Sequence, residues 1–224
     1  AGITFEYSNP AGSFSYWANY NQSMKPTIKN LNNYAEAGLS YNGRNFGFVL
    51  DLANIGKNYY TDMGFVQRIN NYDAERDTSI RIGFKQVFSE VSYTLMPAKG
   101  KIGKSELTVQ NFIVFNPDNS FNELENKLQL KTDFKNASSF NLSLSNNITN
   151  LLFPTSFTNG TPLPAKQYQY GQFRFNYVSD TRKLFGWVSE ITLGQFYNGQ
   201  VQGFGLGINW RNQPHLNLRL NAQL

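Results

Sequence analysis

The feature that most constrains this chain is a two-residue period held over long segments. At 215–224, Leu216, Leu218, Leu220, Ala222 and Leu224 alternate with His215, Asn217, Arg219, Asn221 and Gln223. Successive side chains of a strand point to opposite faces, so this pattern sets one face against an apolar medium and the other against a polar one. The same alternation runs through 140–148, where Phe140, Leu142, Leu144 and Ile148 oppose Asn141, Ser143, Ser145 and Asn147. It recurs at 107–115 and 127–134. At 79–88 it groups Ile80, Ile82, Phe84 and Phe88 against Ser79, Arg81, Gly83 and Lys85. No convincing helical period competes with it.

Turn chemistry divides the runs. Asn42-Gly43, Asn159-Gly160 and Asn198-Gly199 are strong hairpin dipeptides. Together the signals predict strands near 3–8, 13–20, 34–42, 45–54, 63–69, 79–88, 91–96, 105–115, 121–134, 139–149, 167–179, 183–196, 201–211 and 215–224, about fourteen in all. The segment about 150–166, with Pro154, Gly160, Pro162 and Pro164, reads as a long loop. The strands on its two sides have the same character, so residues 1–224 form a single unit.

Composition narrows the chemistry. There is no cysteine, and His215 is the only histidine. Disulfides, thiolate chemistry and histidine-rich metal centres are therefore excluded. The net charge of +5 comes from 20 basic and 15 acidic residues dispersed along the chain, which does not make a nucleic-acid surface. No phosphate-binding glycine loop opens a helix. Glu123 with Glu125, and Asp73, Glu75 and Asp77, are acidic groups, but sequence spacing alone does not make them a hydrolase pair or a calcium loop. The expectation is a protein that is not an enzyme, with no catalytic residue, cofactor or metal.

Three features favour a membrane setting for the sheet. The longest strands run 10–14 residues, above the usual five to six and long enough for the 9–11 or so that span a bilayer. Their polar faces carry mostly Asn, Gln, Ser, Thr and Gly rather than charge, in a chain with 29 asparagines and only 16% charged residues. Aromatics such as Tyr16, Trp17, Tyr20 and Trp210 sit near strand ends, where membrane interfaces place them. The expected fold is an all-β transmembrane antiparallel β-barrel, with these strands forming part of a larger barrel. A soluble β-sandwich binding module is the alternative.

Two motifs carry a resemblance. Met63-Gly64-Phe65-Val66-Gln67-Arg68 follows the Asn- and Tyr-rich stretch 53–62, and Gly194-Gln195-Phe196-Tyr197-Asn198-Gly199 precedes an alternating run and then Pro214-His215-Leu216. From about residue 35 onward the chain resembles a Bacteroidota outer-membrane β-barrel family of unassigned function. Its members carry an amino-terminal domain similar to carbohydrate-binding modules. The resemblance implies the middle part of a barrel, with further strands beyond 224. It also implies a location in the cell outer membrane. The implied partners are the lipid bilayer and lipopolysaccharide, with other outer-membrane or periplasmic proteins covering the open edges. The function expected is a pore for small solutes or saccharides, or a non-conducting barrel that anchors or scaffolds a carbohydrate-binding or surface complex.

The residues singled out are the motif positions Gly64, Phe65 and Arg68, and the polar-face cations Arg68, Arg81, Lys85, Arg174 and Arg219 as lumen candidates for ligand binding. Arg68 is expected either to contact an anionic ligand or to pair with a carboxylate such as Glu90 or Asp73. Lys127 and Lys131 share the polar faces; these cations are expected either to bias a pore towards anions or to be ordinary lumen charges balanced by Glu36, Glu106, Asp133 and Glu190.

Overall fold

The computed structural model describes every residue except 29, 62–65, 67, 158, 159 and 213. Fourteen strands follow in chain order: β1 (Gly2–Ser8), β2 (Phe14–Gln22), β3 (Asn33–Asn42), β4 (Phe46–Ile55), β5 (Asn70–Asp73), β6 (Thr78–Arg81), β7 (Phe84–Leu95), β8 (Ile102–Phe115), β9 (Phe121–Phe134), β10 (Ser139–Asn150), β11 (Gln167–Val178), β12 (Phe185–Phe196), β13 (Gly199–Asn212) and β14 (Leu216–Gln223). Twelve of them form one sheet in chain order, β4 lying beside β7. β5 and β6 form a separate hairpin inside the excursion 56–83. Every pairing is antiparallel.

The registers turn the alternation into two faces. Leu107, Leu130, Leu142, Phe175, Ile191 and Phe204 lie opposite one another in one row across β8–β13. The adjacent row, on the other face, is Glu106, Lys131, Asn141, Asn176, Glu190 and Gly205. A shift of one residue in any strand would exchange these sets, so the hydrophobic pattern specifies the register. The apolar face is bare: Leu107, Leu128, Leu144, Phe204 and Leu220 are all exposed.

The polar face is partly covered. Ala53, Ile55, Phe84 and Val114 point to it and meet Ile69 of the excursion, with Tyr34, Tyr59, Val66 and Phe112 packed around them. Ile69 is only 1% exposed. This small core explains why the 79–88 pattern misleads. A single strand is expected there, followed by another from 91; instead the chain breaks at Ile82–Gly83 and then runs unbroken as β7. A Cβ at Gly83 would lie 2.5 Å from the carbonyl oxygen of Ile55 and 2.8 Å from the amide nitrogen of Lys57. Glycine is required where these backbones meet. The expected strand at 63–69 falls largely outside the described residues.

The large sheet is not closed within residues 1–224, so the expected transmembrane barrel, read as part of a larger one, is not the fold these residues form. β1 bonds to β2 alone and β14 to β13 alone, and the two end strands do not touch. Lipid supplies no partners for the amides and carbonyls of free edges, so a membrane-spanning sheet has to close. Readings that depended on closure fall with it. These are the pore, the anchoring barrel, the bilayer and lipopolysaccharide as partners, the outer-membrane or periplasmic proteins completing the wall, and the outer-membrane location. The fold is an open, all-β, antiparallel sheet, and it favours the binding-module reading over either barrel.

Candidate functional site

Four connections gather at one end of the sheet: the excursion 56–83, the turn 116–120, the loop 151–166 and the β12–β13 turn. Sequence chemistry holds them there. The buried Asp73 carboxylate accepts backbone N–H bonds from Glu75 (3.0 Å) and Arg76 (3.3 Å), shaping the β5–β6 turn. The N–H of Ala74 donates to the carbonyl of Pro154 at 2.9 Å and ties that hairpin to the long loop. At 116–120 the Asp118 carboxylate accepts from the Ser120 amide (3.0 Å) and hydroxyl (2.7 Å). These bonds hold Asp118 below its ordinary value.

Between these loops lies a cleft of about 510 Å³. Arg68 stands on one side, paired with Glu123 of β9, its guanidinium 5.1 Å from the centre of the Phe112 ring. Tyr197 stands on the other. Its ring meets Phe157 (4.8 Å between centroids), Tyr170 (5.2 Å) and Tyr168 (5.4 Å). Burial pushes its hydroxyl up to about 12, with Tyr170 and Glu123 adding to the effect. Asn70, Asn71, Asn116 and Asn122 contribute amides to the wall. The Arg68 side chain also borders a second cavity of about 440 Å³, beside Tyr34, Tyr59 and Gln86.

Both flanking residues are backbone outliers. Arg68 has φ 63° and Tyr197 has φ 53°. Left-handed backbone is unusual for residues other than Gly, Asn and Asp, and costs on the order of 1 kcal/mol for a bulky side chain. Phe196 pairs with Gly199, so the tight turn is made by Tyr197 and Asn198. The sequence signal Asn198-Gly199 located this hairpin but placed its turn one residue late.

The predicted cations separate. Arg68 reaches the cleft, paired with Glu123 rather than with Glu90 or Asp73. Arg81 ties down the excursion: it donates to the carbonyls of Lys57 (3.0 Å) and Tyr59 (2.6 Å) and lies over the Tyr60 ring. Lys85 falls on the bare face, opposite Asn54 and Phe115, and binds Asn119 at the strand end. Arg174 is on the polar face and donates to Gln172 at 2.9 Å. Arg219 is on the polar side of the edge strand β14. Gly64 and Phe65 lie outside the described residues. Asp73, Glu75 and Asp77 do not converge: Asp73 caps its own turn and Asp77 accepts from Tyr72 at 2.7 Å.

Reading strand by strand misses a second polar cluster. Trp17 donates its indole N–H to Asp51 (3.1 Å), Asn19 donates to Glu36 (3.1 Å), and the Tyr34 hydroxyl donates to the same Glu36 oxygen. Burial raises Asp51 to about 6, and the neighbouring Glu36 pushes it the same way. Burial also pushes Glu36 upward, but hydrogen bonds from Tyr34 and Asn19 hold it below its ordinary value. Tyr34 is pushed up by burial and by Glu36. Trp17 looked like a strand-end aromatic, yet its ring lies across Gly38, the one residue type that leaves it room. The signal is the spacing of two on β2 and on β3, but only the β2–β3–β4 register brings these residues together with Asp51.

No protein-family model, curated protein or solved structure matches the chain. The resemblance to the Bacteroidota barrel family is therefore overturned on two grounds: no such match exists, and the sheet those motifs were expected to mark as a barrel wall is open.

Proposed function

We propose that the chain is an all-β binding module that takes a neutral, polyhydroxylated ligand, such as a short saccharide, in the cleft between Arg68 and Tyr197. The observation that carries the reading is the pair of left-handed, bulky residues facing one cleft. Strained backbone persists where the surrounding structure holds a side chain in place, and such positions cluster at ligand sites. The cleft has the volume of a small-molecule site. Its amides offer both donors and acceptors, and its aromatic rings offer flat apolar faces. Arg68 and Glu123 neutralise each other, so the wall favours hydrogen-bonding groups over net charge. Among the described residues lining the cleft, Glu123 is the one carboxylate, and the role proposed is binding without turnover.

The test is calorimetric titration against matched panels of neutral and anionic oligosaccharides. Neutral members should bind, and Tyr197→Ala should weaken them about tenfold, the loss of ~1.5 kcal/mol of ring contact. Binding restricted to anionic sugars, no binding at all, or full affinity in Tyr197→Ala each sinks the reading.

A further inference from the structure

The cleft beside Tyr197 has a neighbour. The cavity of about 440 Å³ on the other side of Arg68 lies between the polar face and the excursion. Arg68 and Phe84 border both spaces. Phe84 is buried and forms a shared floor. Arg68 divides the two above it. Its guanidinium bonds to Glu123, in the wall of the first, and lies over the ring of Phe112, in the wall of the second. That divider is free to move: the Arg68 side chain is 40% exposed, and an exposed ion pair holds only weakly.

The two cavities offer the same chemistry. In the second, the rings of Tyr34 and Tyr59 stack with 5.7 Å between centroids, and Asn21 and Gln86 supply amides. Arg68 is the one charged residue among the described residues that line it. Tyr59 is pinned through its carbonyl, which accepts from Arg81 at 2.6 Å. Register joins the two spaces. On the polar face Asn21, Tyr34, Ile55 and Phe84 lie opposite one another across β2, β3, β4 and β7. Two residues along β7, Gln86 continues the row through Val114, Glu123 and Thr149 of β8, β9 and β10. Each of these residues lines one cavity or the other. The row crosses seven adjacent strands, six spacings of about 4.8 Å, or roughly 29 Å along the sheet.

We propose that these cavities are two subsites of one groove, and that the ligand is an extended neutral oligosaccharide lying across the strands, with Arg68 swung aside where the chain passes. This rests on the reading of the Tyr197 cleft as a saccharide site and adds the length and direction of the ligand. A sugar ring in a chain advances by about one strand spacing, so the row holds about six rings. Short ligands fill the Tyr197 cleft, and longer ones reach Tyr59.

Calorimetric titration with neutral gluco-oligosaccharides of the malto and cello series, from trisaccharide to octasaccharide, tests this. Affinity should rise from the trisaccharide to the hexasaccharide and level off beyond it. Tyr59→Ala should weaken the hexasaccharide about tenfold and leave the trisaccharide unchanged, which also shows that the variant is folded. Gln86→Ala should show the same pattern, and it decides the matter if Tyr59→Ala does not fold. Tyr197→Ala should weaken both lengths. A trisaccharide that binds as tightly as the hexasaccharide overturns the second subsite and leaves the Tyr197 cleft standing. So does full hexasaccharide affinity in Tyr59→Ala and Gln86→Ala, or an equal loss for both lengths in these two variants. No binding at any length overturns both readings.

Discussion

Asp51 is where a single side chain most affects the pH response. Its carboxyl is raised from 3.8 to about 6, first by burial and then by Glu36. A group whose folded value is raised holds its proton more tightly in the folded state. Its contribution to stability is full below about 3.8 and is lost as the pH rises through 6. Glu36 acts in the opposite sense: its value is lowered, so its contribution is present above its ordinary value and fades as the pH falls. Asp51→Asn keeps an acceptor for the Trp17 N–H but cannot titrate. Urea unfolding from pH 4 to 7 should show the wild type losing stability relative to Asp51→Asn as the pH rises across 4–6. Parallel curves for the two proteins would show that the cluster does not titrate as described. None of this is legible in one strand, because Trp17, Glu36 and Asp51 are 15 to 34 positions apart and become neighbours only through register.

At the scale of elements, the long alternating strands were legible and the excursion was not. β9, β10 and β13 alternate because one side of each faces its apolar row and the other its polar row, and nothing else competes. Between β4 and β7 the chain serves two purposes. Phe84 faces the excursion on the polar side of the sheet and Phe88 shares that side, so apolar residues occur on both faces and the period blurs. The break at Gly83 depends on a contact between backbones that no local pattern encodes. Gly83→Ala should destabilise the protein by about 2 kcal/mol, since the carbonyl of Ile55 is backbone and has little freedom to give way. Guanidinium unfolding measures this; a cost below a few tenths of a kcal/mol would mean that the junction relaxes. The cleft was legible only in part. Arg68 stood out by its motif, whereas Tyr197 depends on turn geometry and on the far loop 151–166.

Across the whole molecule, alternation correctly indicated a two-faced sheet but said nothing of what meets the apolar face. Lipid was inferred from strand length and the weakly charged polar residues. Those features describe each strand singly, whereas closure is a property of the two end strands together. The same lesson applies to Arg219: its polar-face position was readable, but its place on a free edge was not.

The strict chain order of the sheet has a consequence for folding. Apart from the 56–83 excursion, every ladder joins a strand to the next one made, across a short turn, the connection 23–32 or the loop 151–166. Such a chain assembles like a zipper, hairpin after hairpin, with each new strand needing only its predecessor as template. Its stability approximates a sum of nearest-neighbour terms, as in repeat proteins, and a single unfolding midpoint loses its meaning when those terms uncouple. Amide exchange should therefore be slowest in β7 and β8, which carry part of the small core, and quicken step by step toward β1 and β14. Removal of β13 and β14 should leave the protection of β7–β9 unchanged. Uniform protection across all twelve strands, or collapse of the whole pattern on that deletion, would reveal an all-or-none unit instead of a zipper that frays from both ends.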